Sequence, residues 1–358
     1  MIYLDYQATT PLAPEAFDAM VPWLRDQFAN PHSPHRAGRA AKAAVEVARE
    51  QVAALLPAGG RVAFTGGATE ALNWAIKGAP PGPVVTIATE HAVVLDSVAA
   101  RGGGIVLPVG ADGLVDLAAA ERAIVPGVSL VVAMLVNNEI GVVQPVDELA
   151  RLAHRSGALL LCDAVQGYGR VAIPDSVDMV ALSAHKVHGP KGVGALWLRD
   201  GVRPAPLLHG GDQEDGRSGT LSPALCAGFG VAAQLMRARA RDDAAHVERL
   251  WRLALARLEG WTINGSVERR YLGNLNIRRD GIDVARMISD LRDVAFSAGS
   301  ACASGSGRPS HVLRAIGLSD AAARSTIRLG FGRYTSADDL AIALDRITAA
   351  AAAQRVAA

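Results

Sequence analysis

Short apolar runs alternate with stretches of helical periodicity through the middle of the chain, and few architectures accept that rhythm. Val84-Val85-Thr86-Ile87-Ala88, Leu130-Val131-Val132-Ala133-Met134-Leu135 and Leu159-Leu160-Leu161-Cys162 are apolar at successive positions, so they read as strands buried on both faces. Residues 36–55, 69–77 and 145–156 carry apolar positions at helical spacing. Doubly buried strands joined by helices form a largely parallel sheet covered on both sides, an α/β fold. After about residue 224 the rhythm stops. An Ala/Arg/Leu-rich segment there predicts one long helix through about residue 258, and a boundary near residue 245 separates a smaller α+β part.

With 358 residues the chain is long enough for a large domain and a smaller one. Half of it is hydrophobic and the net charge is +1, a soluble globular balance. The arginines are scattered and no basic stripe is interleaved with aromatics, so nucleic acid is not an expected partner. Met1-Ile2-Tyr3-Leu4-Asp5 has no signal-peptide character, and no window has the apolar length of a membrane span. Three irregularly spaced cysteines, Cys162, Cys226 and Cys302, suit a reducing cytoplasm better than a disulfide framework or zinc site. Cys162 and Cys226 read as inert core thiols. The pairs His32-x-x-His35 and His185-x-x-His188 lack a glutamate base or carboxylates at zincin spacing, so no metal is expected.

Open α/β sheets bind ligands at the carboxyl ends of their strands. One strand ends at Cys162-Asp163-Ala164-Val165-Gln166, and the next runs into Ser183-Ala184-His185-Lys186 before a Gly/Pro-bounded turn. A carboxylate and a lysine facing one crevice are what pyridoxal phosphate requires. The lysine forms the Schiff base and the carboxylate keeps the pyridine nitrogen protonated. A helix-capping Asp163 and a solvated Lys186 fit the same residues. Thr65-Gly66-Gly67-Ala68-Thr69-Glu70 opens a helix after a strand and suits a phosphate, through backbone N–H groups and the Thr69 hydroxyl. His91 and the Asn137-Asn138-Glu139-Ile140-Gly141 turn also follow strands, and Arg328 offers bidentate recognition of a carboxylate. Cys302 sits in Ser297-Ala298-Gly299-Ser300-Ala301-Cys302-Ala303-Ser304-Gly305-Ser306-Gly307. That run reads either as a loop able to carry a thiol to a substrate or as a small-residue turn with an incidental cysteine.

Taken together, these segments resemble the cysteine desulfurases of the NifS/IscS type, in the class V aminotransferase group of fold-type-I pyridoxal-phosphate enzymes. The resemblance runs from Tyr3-Leu4-Asp5-Tyr6-Gln7-Ala8-Thr9-Thr10-Pro11 through Val136–Gly141, Ala184–Gly192 and Arg217-Ser218-Gly219-Thr220 to Ile327–Arg333. It implies a homodimer that converts L-cysteine to L-alanine and leaves a persulfide for a sulfur acceptor or iron–sulfur scaffold protein. It implies a mostly parallel seven-stranded large domain over residues 16–245, and a small α+β domain over 246–358 carrying the cysteine loop. Residues 1–15 would pack with the small domain.

By the same resemblance Lys186 is the Schiff-base lysine, Asp163 partners the pyridine nitrogen, Gln166 bonds the ring hydroxyl and His91 stacks on the ring. Ala68, Thr69, Ser183 and His185 hold the phosphate, and Thr220 reaches the cofactor of the partner subunit. Asn138 and Arg328 bind the substrate carboxylate. Cys302 is the persulfide-forming nucleophile and a transient ligand for a cluster, in a loop of the long form. Two features depart from the family pattern: a shortened His209–Arg217 segment with Asp215 where arginine is common, and a short C-terminal tail. A selenocysteine lyase, another pyridoxal enzyme or a non-catalytic sulfur carrier are the alternatives.

Overall fold

The computed structural model describes residues 1–299 and 310–356. Its first eight strands are β1 (Ile2–Tyr3), β2 (Gly60–Thr65), β3 (Val84–Ile87), β4 (Ile105–Leu107), β5 (Leu130–Met134), β6 (Leu159–Asp163), β7 (Met179–Ser183) and β8 (Gly194–Arg199). Strands β2 to β8 form a seven-stranded sheet in the order β2-β8-β7-β6-β5-β3-β4. Only β8 runs against the others. The carboxyl ends of β2, β3, β5, β6 and β7 therefore open on one edge.

Both faces of this sheet are buried, as unbroken apolar strands require. In β6, Leu160 and Cys162 join one core with Phe64, Trp197 and Phe229, while Leu161 turns to the opposite core with Trp74, Ile76 and Leu198. Helices Arg36–Ala53 and Pro223–Ala238 cover the first face, and Ala68–Gly78 and Ala92–Ala100 the second.

A separate core lies beyond. The strands β9 (Thr262–Ile263), β10 (Asn274–Arg278), β11 (Val294–Ala295), β12 (Ser297–Ala298) and β13 (Thr326–Gly330) complete the set. They form a four-stranded sheet, β12-β13-β10-β9, and a two-stranded one in which β1 pairs with β11. Leu4 is packed in this core with Trp251, Leu275, Leu329 and Leu344.

The single long helix expected over residues 224–258 is two helices, Pro223–Ala238 and Ala240–Leu255, hinged at Arg239. The first buries Phe229, Ala233 and Met236 against the large sheet, and the second buries Val247, Leu250 and Trp251 in the other core. One straight rod cannot serve both. Arg333 secures the break, binding the Asp243 carboxylate at 2.6 Å and reaching the Leu235 carbonyl at 3.4 Å.

Gly194 holds the edge of the sheet together. A Cβ there would lie 2.4 Å from the Leu182 carbonyl oxygen and 2.7 Å from the Gly67 backbone. Only glycine lets the Gly66-Gly67 turn settle on β8. We expect Gly194→Ala to lower unfolding free energy by about 1–3 kcal/mol, as overpacking against backbone does, measured by urea denaturation.

Candidate active site

The strand ends converge on a cavity of about 880 Å³. Its floor is made by three residues at or just after β6 and β7: Asp163, Gln166 and Lys186. Ala68 and Thr69, at the start of helix Ala68–Gly78, line one end with Ser183 and His185. His91, Asn138 and Arg328 also line it. Ten residues singled out in the sequence thus face one space. Thr220 is exposed and does not line the cavity. Cys302 lies outside the described residues.

Asp163 is buried apart from the side that meets the cavity, and its carboxylate accepts a hydrogen bond from the Val165 N–H at 3.0 Å. Loss of hydration pushes its pKa up to about 6, against the opposing pull of Lys186. A carboxylate in that condition favours a cation placed in the cavity. The Lys186 Nζ donates to the Gln7 carbonyl at 2.5 Å and the Ala8 carbonyl at 2.8 Å. Gln166 Nε2 donates to the same Gln7 carbonyl at 2.9 Å.

The end of the cavity at helix Ala68–Gly78 is equally specific. Helix Ala68–Gly78 has Gly67 at its N-cap and no side-chain cap, so its first N–H groups and the positive end of its dipole are available to an anion. Glu70 steadies the turn by accepting from Gly66 N–H at 2.7 Å, and Arg217 grips the same carboxylate at 2.7 Å. The His209–Arg217 segment is thereby fastened to the phosphate turn. Asp215 stands in a left-handed conformation (φ 48°), exposed, and pairs with Arg61 at 3.2 Å.

His91 caps helix Ala92–Ala100, its Nδ1 accepting the Val93 N–H at 3.1 Å. The exchangeable proton is then on Nε2. Burial first, then the charges of Lys186 and His311, lower its pKa and keep the ring neutral. Burial and the same lysine push His185 down to about 4. Arg328, 1% exposed, binds Asp5 Oδ1 at 2.7 Å and the Asn138 carbonyl at 3.1 Å.

Sequence reasoning assigned no role to Asp5, Gln7, Ala8, Glu90 or Glu139. Glu90 lies fully buried, binding the Met134 N–H at 2.6 Å. Burial and then the Asp163 charge raise its pKa well above its ordinary value. Its place directly before His91 in a strand-end turn was the available signal.

These donors fit a flat phosphorylated pyridine: an open helix N-terminus for the phosphate, a buried carboxylate for a protonated ring nitrogen, and a lysine between them. A doubly wound sheet with such a cavity at its carboxyl edge defines a fold-type-I enzyme. The sequence matches the family described as Aminotransferase class-V over residues 2–342. Cysteine desulfurase IscS of Rickettsia rickettsii (strain Iowa) is 40% identical, covering 97% of this chain and 90% of its own. The solved NifS-like protein from Rickettsia africae ESF-5 superposes with a TM-score of 0.90 at 28% identity, over 98% of this chain and 99% of that one. SspA in complex with cysteine superposes at 0.82 with 35% identity, over 94% and 100% of the two chains. The chain belongs to the class-V aminotransferase family and, within it, to the cysteine desulfurases.

The buried carboxylate has a measurable consequence for cofactor-free protein. A folded-state pKa near 6, against about 4 unfolded, makes Asp163 stabilising when protonated and costly when ionised. Its stabilising contribution is complete below about pH 4 and is lost as pH rises through about 6. Denaturant titrations across this window should show wild type losing on the order of 2–3 kcal/mol more than Asp163→Asn. Parallel stability–pH curves for the two proteins would contradict the burial argument.

Proposed function

We propose that pyridoxal phosphate occupies this cavity and that the protein removes sulfur from L-cysteine through Cys302. The observation that carries the reading is the convergence of Lys186, Asp163 and the open helix N-terminus on one cavity. When bound, the cofactor draws electron density from the substrate Cα and so labilises bonds next to it. Ala68, Thr69, Ser183 and His185 hold the phosphate, Asp163 keeps the ring nitrogen protonated, and Gln166 orients the ring hydroxyl. His91 stacks on the ring.

Arg328 and Asn138 orient the substrate by its carboxylate. Lys186 Nζ bonds the cofactor at rest and takes the Cα proton of bound cysteine. The Cys302 thiolate attacks the substrate sulfur, forming an S–S bond as the substrate Cβ–S bond breaks, and the bonding pair stays with carbon. His91, with its exchangeable proton on Nε2, exchanges protons with the thiols. The sum is L-cysteine plus a Cys302 thiol giving L-alanine plus a Cys302 persulfide, which balances without an external oxidant. The persulfide passes to an acceptor protein of iron–sulfur assembly or another thiolation route.

We assign the enzyme to a reducing cytoplasm, where such a thiol persists. Among the described residues no helix is long and apolar enough to cross a membrane. We assign it a homodimeric state, supported by Phe17, Leu24 and Phe28, which are 52%, 62% and 89% exposed in and just after helix Pro14–Arg25. In that dimer Thr220 reaches the partner subunit's cofactor.

Purified protein should be yellow, and Lys186→Ala should lose the visible band of lysine-bound cofactor. A protein colourless after addition of pyridoxal phosphate would overturn the assignment. Cys302→Ser should keep the band and lose alanine and sulfide production from L-cysteine by at least about a hundredfold, as loss of a covalent nucleophile does. Undiminished alanine from that variant would point to a lyase that does not need the thiol.

A further inference from the structure

Two carboxylates hold the flanks of the segment carrying Cys302: Asp5, shared with Arg328, and Glu139, the residue after Asn138. On one flank, Ser297 in β12 donates to Asp5 Oδ1 at 2.8 Å, and the same oxygen holds Arg328 at 2.7 Å. On the other, Ser310 donates to Glu139 Oε2 at 2.5 Å. Glu139 follows Asn138 directly in the turn after β5, and its backbone N–H is fixed by Asn137 Oδ1 at 2.8 Å. The Glu139 side chain is 3% exposed and Ser310 likewise 3%. Burial raises the Glu139 pKa, and the hydrogen bond from Ser310 opposes that rise by favouring the ionised form. Ser310 also caps the following helix, accepting from Leu313 N–H at 3.1 Å.

The pairing has a geometric meaning. Asn138 presents its carbonyl to Arg328 at 3.1 Å and to Asn274 Nδ2 at 3.2 Å, so its turn is immobilised against β13. Ser310 thus joins that turn to the start of helix His311–Ala315. Any displacement of the Asn138 turn is therefore transmitted to Ser310, eight residues after Cys302 in the chain.

We infer that Glu139 and Ser310 are positioning residues that register the segment carrying Cys302 to the turn binding the substrate carboxylate, and so set the rate of sulfur transfer. This rests on the desulfurase reading above. The transfer is the balanced step already written: the Cys302 Sγ–S bond forms, the substrate Cβ–S bond breaks, and alanine leaves. Neither residue touches cofactor or substrate. Their loss should slow the formation of persulfide and leave the earlier binding events intact.

Holoenzyme variants separate these effects. Ser310→Ala removes both the tie and the helix cap, whereas Glu139→Met removes the tie and leaves the cap. Each should lower kcat for alanine and the single-turnover rate of Cys302 persulfide formation by about tenfold, the worth of one hydrogen bond to a charged group. KM for L-cysteine, the visible cofactor band and its change on adding L-cysteine should stay as in wild type. The double variant should be no slower than Ser310→Ala, in which the tie is already lost, and Ser310→Thr should keep the wild-type rate. Unchanged kcat in both single variants, additive losses, or kcat falling together with cofactor content would overturn the proposal. Wild-type protein that binds cofactor and makes no alanine from L-cysteine would overturn the desulfurase reading and this proposal with it. Normal wild-type turnover with unaffected variants overturns this proposal alone.

Discussion

A carboxylate deprived of water at the centre of the sheet governs the site. Asp163 closes β6, the middle strand, where the buried Leu160, Leu161 and Cys162 shut out solvent on every side but the cavity. The cost of ionising it there is relieved when a cation lies alongside. Burial and the Asp163 charge raise the Glu90 pKa in turn, and the relief comes from the cavity side, where Lys186 lies. The sheet order fixes which groups share that edge, and Gly194 in the reversed β8 lets the Gly66-Gly67 turn settle against it.

The N-terminal segment closes the arrangement. Its carbonyls at Gln7 and Ala8 hold the Lys186 amine, and Asp5 holds Arg328. Leu4 lies in the second core and β1 pairs with β11. The same few residues thus connect Lys186, Arg328 and the second core through one short stretch of chain.

The period of apolar residues made β3, β5, β6 and three helices legible within one or two positions, because burial on both faces leaves no polar phase to misread. Asp163, Lys186, His91 and the Gly66-Gly67 turn stood out for a related reason, lying at or just after strand ends, where the chain leaves the sheet. Gln166, Ala68, Ser183 and His185 were assigned through the family resemblance, and Arg328 lies within β13. The hinge at Arg239 was not, since it depends on Arg333, distant in sequence and pinned to Asp243. Asp5, Gln7 and Ala8 act through a carboxylate and two carbonyls that meet Arg328 and Lys186 only in the fold. Glu139 was hidden inside a turn chosen for its amides, although its own carboxylate makes the tie to Ser310.

The central claim is that the lysine, carboxylate and phosphate turn prepare a cysteine whose sulfur moves to Cys302. The most direct measurement is peptide mass spectrometry of the Cys302 segment after one turnover with L-cysteine labelled at sulfur. The account predicts one labelled sulfur atom added to Cys302, in step with one alanine formed, and none in Lys186→Ala. Labelled free sulfide and alanine in equal amounts, with Cys302 unmodified at every time point, would contradict it.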